Sequence, residues 1–314
     1  MKLASIDIGT NSTRLLITDY NCGKFIPLER KMEITRLGKY LGQSNMILKQ
    51  SAVKTLKVLS GYKELIENRS VEKYRAVGTN AVRKASNRDW FISYVYRRSG
   101  IKIEVVSGKE EARLSFYGAV RGMDLKSPYF NTKPPESILV IDIGGGSSEF
   151  ILGDSDYNLK LIESIDIGCV SLTEKFMGYG IPDASSLDRL DQYISGKLKE
   201  TMGKINRHKP LSIIGVAGTI TALAAIDLKL KTYDSEKINR HILSLERIES
   251  IYKDLCSLNL EERKKVTGLE PQRADIIIGG TAIFLTVLNM LGSKGIMISE
   301  KDILDGIIYS MIDF

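Results

Sequence analysis

Ile138-Leu139-Val140-Ile141-Asp142-Ile143-Gly144-Gly145-Gly146-Ser147-Ser148-Glu149-Phe150 is the stretch whose reading decides the fold. Four apolar residues lead into an acid, and three consecutive glycines follow. The pattern predicts a buried strand, a tight turn and a second strand. Glycine reaches backbone angles closed to other residues and lets the backbone approach a ligand closely. Successive turn N–H groups then point into a concavity that holds an anion. Asp142, at the strand end, repels bare phosphate and is expected to face a metal ion or a water.

A second copy stands at the N-terminus: Leu3-Ala4-Ser5-Ile6-Asp7-Ile8-Gly9-Thr10-Asn11-Ser12-Thr13-Arg14-Leu15-Leu16-Ile17. Aligning Asp7 with Asp142 also aligns Ile6 with Ile141, Ile8 with Ile143, Gly9 with Gly144 and Ser12 with Ser147. Two copies far apart predict two related lobes and not a solenoid. Two such turns facing each other would grip one phosphate chain from both sides. One Asp-x-Gly turn alone would read as an ordinary buried hairpin; the matched pair favours a ligand.

These residues resemble the exopolyphosphatase/guanosine pentaphosphate phosphatase family, within the actin/sugar-kinase/Hsp70 superfamily. Further motifs carry the resemblance: Ala76-Val77-Gly78-Thr79-Asn80-Ala81-Val82-Arg83, Ser107-Gly108-Lys109-Glu110-Glu111-Ala112-Arg113-Leu114, Gly215-Val216-Ala217-Gly218-Thr219, and Arg273-Ala274-Asp275 with Gly279-Gly280. They follow one another in the family's order and span nearly the whole chain. The resemblance implies an α/β protein of two ribonuclease-H-like (actin-like ATPase) domains flanking a cleft. The first domain would span 1–124, completed by a C-terminal helix at 301–314, and the second 125–300, with the boundary near 122–136. It also implies homodimers. Longer members carry a further helical domain after this point, which makes short polyphosphate the first substrate expected here.

Composition agrees with a soluble globular protein: 314 residues, 43% hydrophobic and 26% charged. The length suffices for two domains. A net charge of +7 suits a polyanionic ligand. No arginine-rich tail or DNA-binding motif accompanies it, so nucleic acid is not expected. Cys22, Cys169 and Cys256 are widely spaced and odd in number, and no signal peptide is evident, so a reducing cytoplasm is expected. Residues 276–293 lack charge but hold Gly279, Gly280, Thr281 and Asn289; they predict a buried core helix and no membrane span.

Along the chain, strands are predicted at 2–8, 13–20, within 25–37, and at 74–77, 101–106, 159–167, 211–216 and 296–298. Helices are predicted at 48–68, after Thr79, and at 107–120, 170–176, 184–206, 246–256 and 260–266, in a long buried one from Pro271, and from about Lys301. Tyr129 to Glu136 reads as a loop. His208 and His241 lack metal-ligand spacing. His208 reads as a surface residue, whereas His241 matches a family segment that reaches the cleft. Ile220 adds bulk beside the Ala217-Gly218-Thr219 turn and is expected to affect nucleotide access there. Gly168 with Ser171 reads either as part of the phosphate path or as a plain helix cap.

The candidate site follows. Gly9, Thr10, Asn11, Ser12, Gly144, Gly145, Gly146, Ser147 and Ser148 would cradle phosphates. Arg83, early in a helix after the Gly-Thr-Asn turn, would add a cation; a solvated surface arginine is the ordinary alternative. Glu110 lies three residues after Ser107 and fits a capping box, which leaves Glu111 over. The family's catalytic glutamate falls on the second acid of this pair, so Glu111 is assigned to chemistry. Glu149 is the second candidate, with a structural role equally open. Asp7 and Asp142 would meet a divalent ion, Mg²⁺ above all, directly or through water. The leading expectation is an exopolyphosphatase; guanosine pentaphosphate phosphatase is its sister, and a superfamily kinase or a non-catalytic polyphosphate or alarmone sensor are the rivals.

Overall fold

A computed structural model of the chain describes residues 1–121, 123, 137–177, 181–210 and 212–312. The predicted 129–136 loop and almost all of the 122–136 boundary lie outside them. The chain divides into two compact units, Met1–Gly118 with Ile303–Phe314, and Ala119–Asp302.

Each unit is built on one sheet. The first unit has β1 (Lys2–Ile8), β2 (Ser12–Asn21), β3 (Lys24–Ile34), β4 (Lys73–Gly78) and β5 (Ile103–Val105). Their order is β3-β2-β1-β4-β5, antiparallel from β3 to β1 and parallel from β1 to β5. The second unit has β6 (Ile138–Ile143), β7 (Ser148–Gly153), β8 (Leu159–Ile165), β9 (Ser212–Val216), β10 (Ile242–Ser244) and β11 (Gly295–Ile298). Their order is β10-β11-β9-β6-β7-β8. From β8 to β6 the pairs are antiparallel, and from β6 through β9 to β11 parallel. The two sheets therefore share one succession, and the duplication seen at two turns extends across both. This is the ribonuclease-H-like sheet of the actin-like ATPase fold. β10, which the sequence reading does not anticipate, pairs antiparallel with β11 at the edge.

The central strands are apolar because both faces are covered. Every residue of β6 is buried. In the first unit the helix Lys49–Asn68 lays Ala52, Leu59, Tyr62 and Ile66 over Ala4, Ile6, Ile8, Leu15 and Ile17. The opposite face takes the helix Ile303–Ser310, through Leu304, Ile308 and Tyr309 on Leu3 and Leu16. Ser5 Oγ donates to Leu304 O at 2.8 Å. In the second unit the uncharged stretch forms the helix Ile277–Leu291, whose Ile283, Phe284, Val287 and Leu288 sit in the core. No described helix is long and apolar enough to cross a membrane.

Several helices differ from their predicted extent; the one predicted at 260–266, for instance, covers only Leu260–Arg263. The one after Thr79 covers only Asn80–Lys84; Ala85 is extended, and a separate helix spans Arg88–Ser99. Asn87 explains the break. Its Oδ1 accepts from Ile47 N at 2.8 Å and its Nδ2 donates to Ile47 O at 3.0 Å, a clamp that competes with the helix. Pro271–Arg273 forms a 3₁₀ turn of its own before the buried helix begins.

Candidate active site

The two turns are the same object at atomic detail. Gly9 N donates to Ser12 O at 2.9 Å, and Gly144 N to Ser147 O at 3.0 Å. A Cβ on Gly9 would stand 3.2 Å from Ser12 O, and one on Gly144 3.2 Å from Ser147 O. In each unit the turn carbonyls are held from the segment that follows the third strand. Arg36 N reaches Asn11 O at 2.8 Å and Gly38 N reaches Thr10 O at 2.9 Å. Cys169 N reaches Gly144 O at 3.0 Å and Val170 N reaches Gly145 O at 2.9 Å. Among the described residues none accepts from the backbone N–H of Thr10, Asn11, Gly145 or Gly146. Tied carbonyls with free N–H groups between them make a backbone concavity of the kind that binds anions.

A glycine seats each turn on its neighbour. A Cβ on Gly38 would lie 2.4 Å from Thr10 Cγ2, and one on Gly168 2.5 Å from Gly145 C and Gly146 N. Gly168 also receives a cap: its N donates to Ser171 Oγ at 3.1 Å. Gly168 is thus the plain helix cap, packed on the backbone of Gly145 and Gly146. Ser148 is wholly buried and its Oγ donates to Ile167 O at 2.7 Å, so its hydroxyl hydrogen supports the same segment.

The acids separate by unit. In the first hairpin the register sets Asp7 opposite Arg14. Arg14 Nε and Nη2 both donate to Asp7 Oδ2, at 3.0 and 2.7 Å. In the second hairpin the register sets Asp142 opposite Glu149. Glu149 is 1% exposed and its Oε1 accepts from Ser164 Oγ at 2.9 Å. The place of an arginine in one copy is therefore taken by a second carboxylate in the other. Like charges facing across strands repel, and carboxylates are the hard oxygen donors that Mg²⁺ takes alongside phosphate and water. The chemistry of this pair fits a divalent ion. Among the described residues no group of three or more His, Cys, Asp or Glu forms a closed protein cage for one.

Glu111 and Arg83 come together in the first unit. Arg83 Nη1 donates to Glu111 Oε2 at 2.8 Å and to Val106 O at 3.0 Å. The helix Gly108–Arg121 presents Glu111 at its first turn. Ser107 Oγ accepts from Glu110 N at 3.1 Å, and the Glu110 carboxylate stands 3.9 Å from Arg75, while Glu111 is 9% exposed.

In the second unit Ala217 holds φ 72°, a conformation costly for a residue with a side chain. Gly218 follows, and the Arg273 guanidinium covers it: a Cβ there would fall 2.1 to 2.5 Å from guanidinium atoms. Arg273 Nε donates to Glu270 Oε2 at 3.1 Å. The expectation for Ile220 is corrected. It is wholly buried against Gly215 and faces the core, so its bulk does not bear on access to the turn. His208 is exposed. His241 Nε2 lies 2.9 Å from Asp227 Oδ2, and Arg247 Nε donates to Asp227 Oδ1 at 2.8 Å.

The sequence reading missed Arg14, Gly38 and the cover on Gly218. The first was within reach. A hairpin closed between residues 8 and 13 pairs positions that sum to 21, which sets 7 against 14.

Two lobes of one duplicated fold, each with a phosphate-type turn and acids at hand, define a phosphatase of the actin-like class. The chain belongs to the Ppx/GppA phosphatase family, whose model matches residues 16–313. It is 30% identical over 323 residues to Exopolyphosphatase 2 of Mycobacterium tuberculosis, covering 99% of this chain and 98% of that protein. It is 35% identical over 322 residues to a Bifunctional 3-dehydroquinate synthase/phosphatase of Fusobacterium nucleatum, covering 99% of this chain and 46% of that protein. The chain thus spans about half the length of the bifunctional relative. The crystal structure of an Exopolyphosphatase from Cytophaga hutchinsonii matches with a TM-score of 0.91 at 27% identity, over 100% of this chain and 98% of that one.

Proposed function

We propose that this protein is an exopolyphosphatase that hydrolyses the terminal phosphoanhydride bond of linear inorganic polyphosphate and releases orthophosphate. The Arg83–Glu111 pair at 2.8 Å, beside a turn with free N–H groups, is the observation that carries the reading.

A phosphoanhydride is ready to hydrolyse but is shielded by its own negative charge. The protein's task is to neutralise that charge and to place a water in line. The N–H groups of Thr10, Asn11, Gly145 and Gly146 bind non-bridging oxygens, with Gly9, Ser12, Gly144 and Ser147 shaping the turns. Arg83 holds the Glu111 carboxylate in one rotamer and offers its remaining N–H groups to phosphate. Glu111 orients the attacking water and takes its proton. Asp142 and Glu149 would hold a divalent ion, Mg²⁺ in our reading, which when bound would neutralise phosphate charge. Asp7, whose Oδ2 is engaged by Arg14, would meet a divalent ion through water. Cytoplasmic location and a homodimer belong to the same reading; the three free cysteines support the first, and sedimentation tests the second.

Arg83→Ala is expected to raise KM for tripolyphosphate about tenfold or more, the usual scale for a lost charged hydrogen bond. It should also lower kcat, because Glu111 loses its guanidinium partner. Unchanged kinetics would return Arg83 to a structural role.

The reading is tested by phosphate release with Mg²⁺ from short polyphosphate, long polyphosphate, guanosine pentaphosphate and ATP. Release from polyphosphate supports the exopolyphosphatase. Preference for guanosine pentaphosphate moves the protein to its sister activity. Sugar-dependent ADP formation would indicate a kinase, and binding without turnover a sensor.

A further inference from the structure

Two side-chain amides beside the first turn have no partner. Asn80 is 4% exposed and Asn11 is 7% exposed. The Nδ2 of each is buried with no acceptor in reach. A buried amide donor without an acceptor is costly, and an apolar side chain of similar size would fill the space without that cost. Such a group calls for an explanation.

Its surroundings supply one. Asn80 opens the helix Asn80–Lys84, one turn before Arg83. The residue before it, Thr79, is bonded to the end of β1, its N donating to Ile8 O at 3.2 Å. Gly38 packs on both Thr10 and Ala81: a Cβ there would stand 2.4 Å from Thr10 Cγ2 and 3.4 Å from Ala81 Cβ. The chain neighbours of the two asparagines, Thr10 and Ala81, therefore meet on Gly38, beside the backbone N–H groups of Thr10 and Asn11, which are also free. The buried unpaired side-chain atoms of both asparagines are donors, so the missing partner is an acceptor. Neither amide caps the short helix; Thr79 makes no side-chain cap bond.

We propose that Asn80 is a substrate-binding residue, which with Asn11 donates Nδ2–H to the non-bridging oxygens of one phosphoryl group. The inference rests on the polyphosphate reading and deepens it. The subsite is made of neutral donors, so it fixes a phosphoryl group by direction and not by net charge. Both nitrogens are closed to water, so a phosphate oxygen reaches them only as the turn adjusts around it.

The test uses tripolyphosphate with Mg²⁺, and compares wild type with Asn80→Ala and the isosteric Asn80→Asp. KM, kcat and the melting temperature with and without tripolyphosphate are measured. Asn80→Ala should raise KM about tenfold. Its melting temperature without tripolyphosphate should fall by no more than the small cavity costs, because the removed donor had no bond to lose. Its ligand-induced rise in melting temperature should shrink. Asn80→Asp should raise KM further, because a carboxylate repels phosphate. An unchanged KM in both variants overturns the proposal. So does a ligand-induced rise in melting temperature that is unchanged in Asn80→Ala, since that places the amide outside the subsite. If wild type releases no phosphate, the activity reading fails, and the ligand-induced melting shift still decides the subsite.

Discussion

Glu111→Gln is expected to lower kcat for tripolyphosphate by about 10²–10⁴-fold while leaving the fold intact, the range over which a general base ordinarily contributes. Glutamine has the same shape, and its amide oxygen still accepts from Arg83 Nη1, now as a neutral acceptor. That change weakens one partly buried hydrogen bond by about 1 kcal/mol. The helix start does not depend on Glu111, because Ser107 Oγ caps it through Glu110 N. What the variant removes is the ability to take a proton from water. KM should move little, since Arg83 and the backbone donors proposed to bind phosphate are untouched. The measurement is kcat at saturating tripolyphosphate, with a thermal melt by circular dichroism alongside. Wild-type-like turnover would remove Glu111 from the mechanism and turn attention to Glu149, whose burial opposite Asp142 gives it a separate environment.

Much of this arrangement is legible in the sequence, because a duplicated motif constrains more than its own residues. Once Asp7 and Asp142 are aligned, the turns, their glycines and the strands on either side follow by period two. A cap three residues back is also met, since Ser107 Oγ takes the Glu110 N–H, whereas the choice of Glu111 rests on the family resemblance. The rest depends on what meets across the fold. Arg14 looks like any residue of an amphipathic strand until the hairpin register sets it on Asp7. Gly38 and Gly168 look like loop glycines, yet each is needed because another segment's atoms occupy the space of a side chain. β10 is three residues long and exists only because β11 offers an edge. Ile220 went wrong for a related reason. Beside the turn in sequence, it points into the core because the helix begun at Gly218 turns it towards Gly215.

The second large effect follows from one of those glycines. Gly168→Ala is expected to reduce kcat/KM by about 10²-fold or more at temperatures where the protein remains folded. The backbone at Gly168 is extended, so alanine meets no conformational penalty there. The difficulty is the space itself. The new methyl would stand 2.5 Å from Gly145 C and Gly146 N and 2.6 Å from Gly145 O, all backbone atoms that cannot rotate aside. Gly145 O is also the acceptor for Val170 N at 2.9 Å and Ser171 N at 3.2 Å. Relief therefore requires the phosphate turn to move and these bonds to stretch. Overpacking of this kind costs about 1–3 kcal/mol of stability. The free N–H groups of Gly145 and Gly146 move with their peptide, so the turn would lose the aim proposed for it at phosphate oxygens. Gly196→Ala is the control. It lies in the exposed part of the helix Ala184–His208 with nothing within 4 Å of the added carbon, so it should leave activity unchanged and raise stability by up to about 1 kcal/mol. If Gly168→Ala turns over tripolyphosphate as wild type does, the turn at 144–147 does not hold the reacting phosphates. If both variants lose activity in step with stability, the loss reflects unfolding and not the placement of the turn.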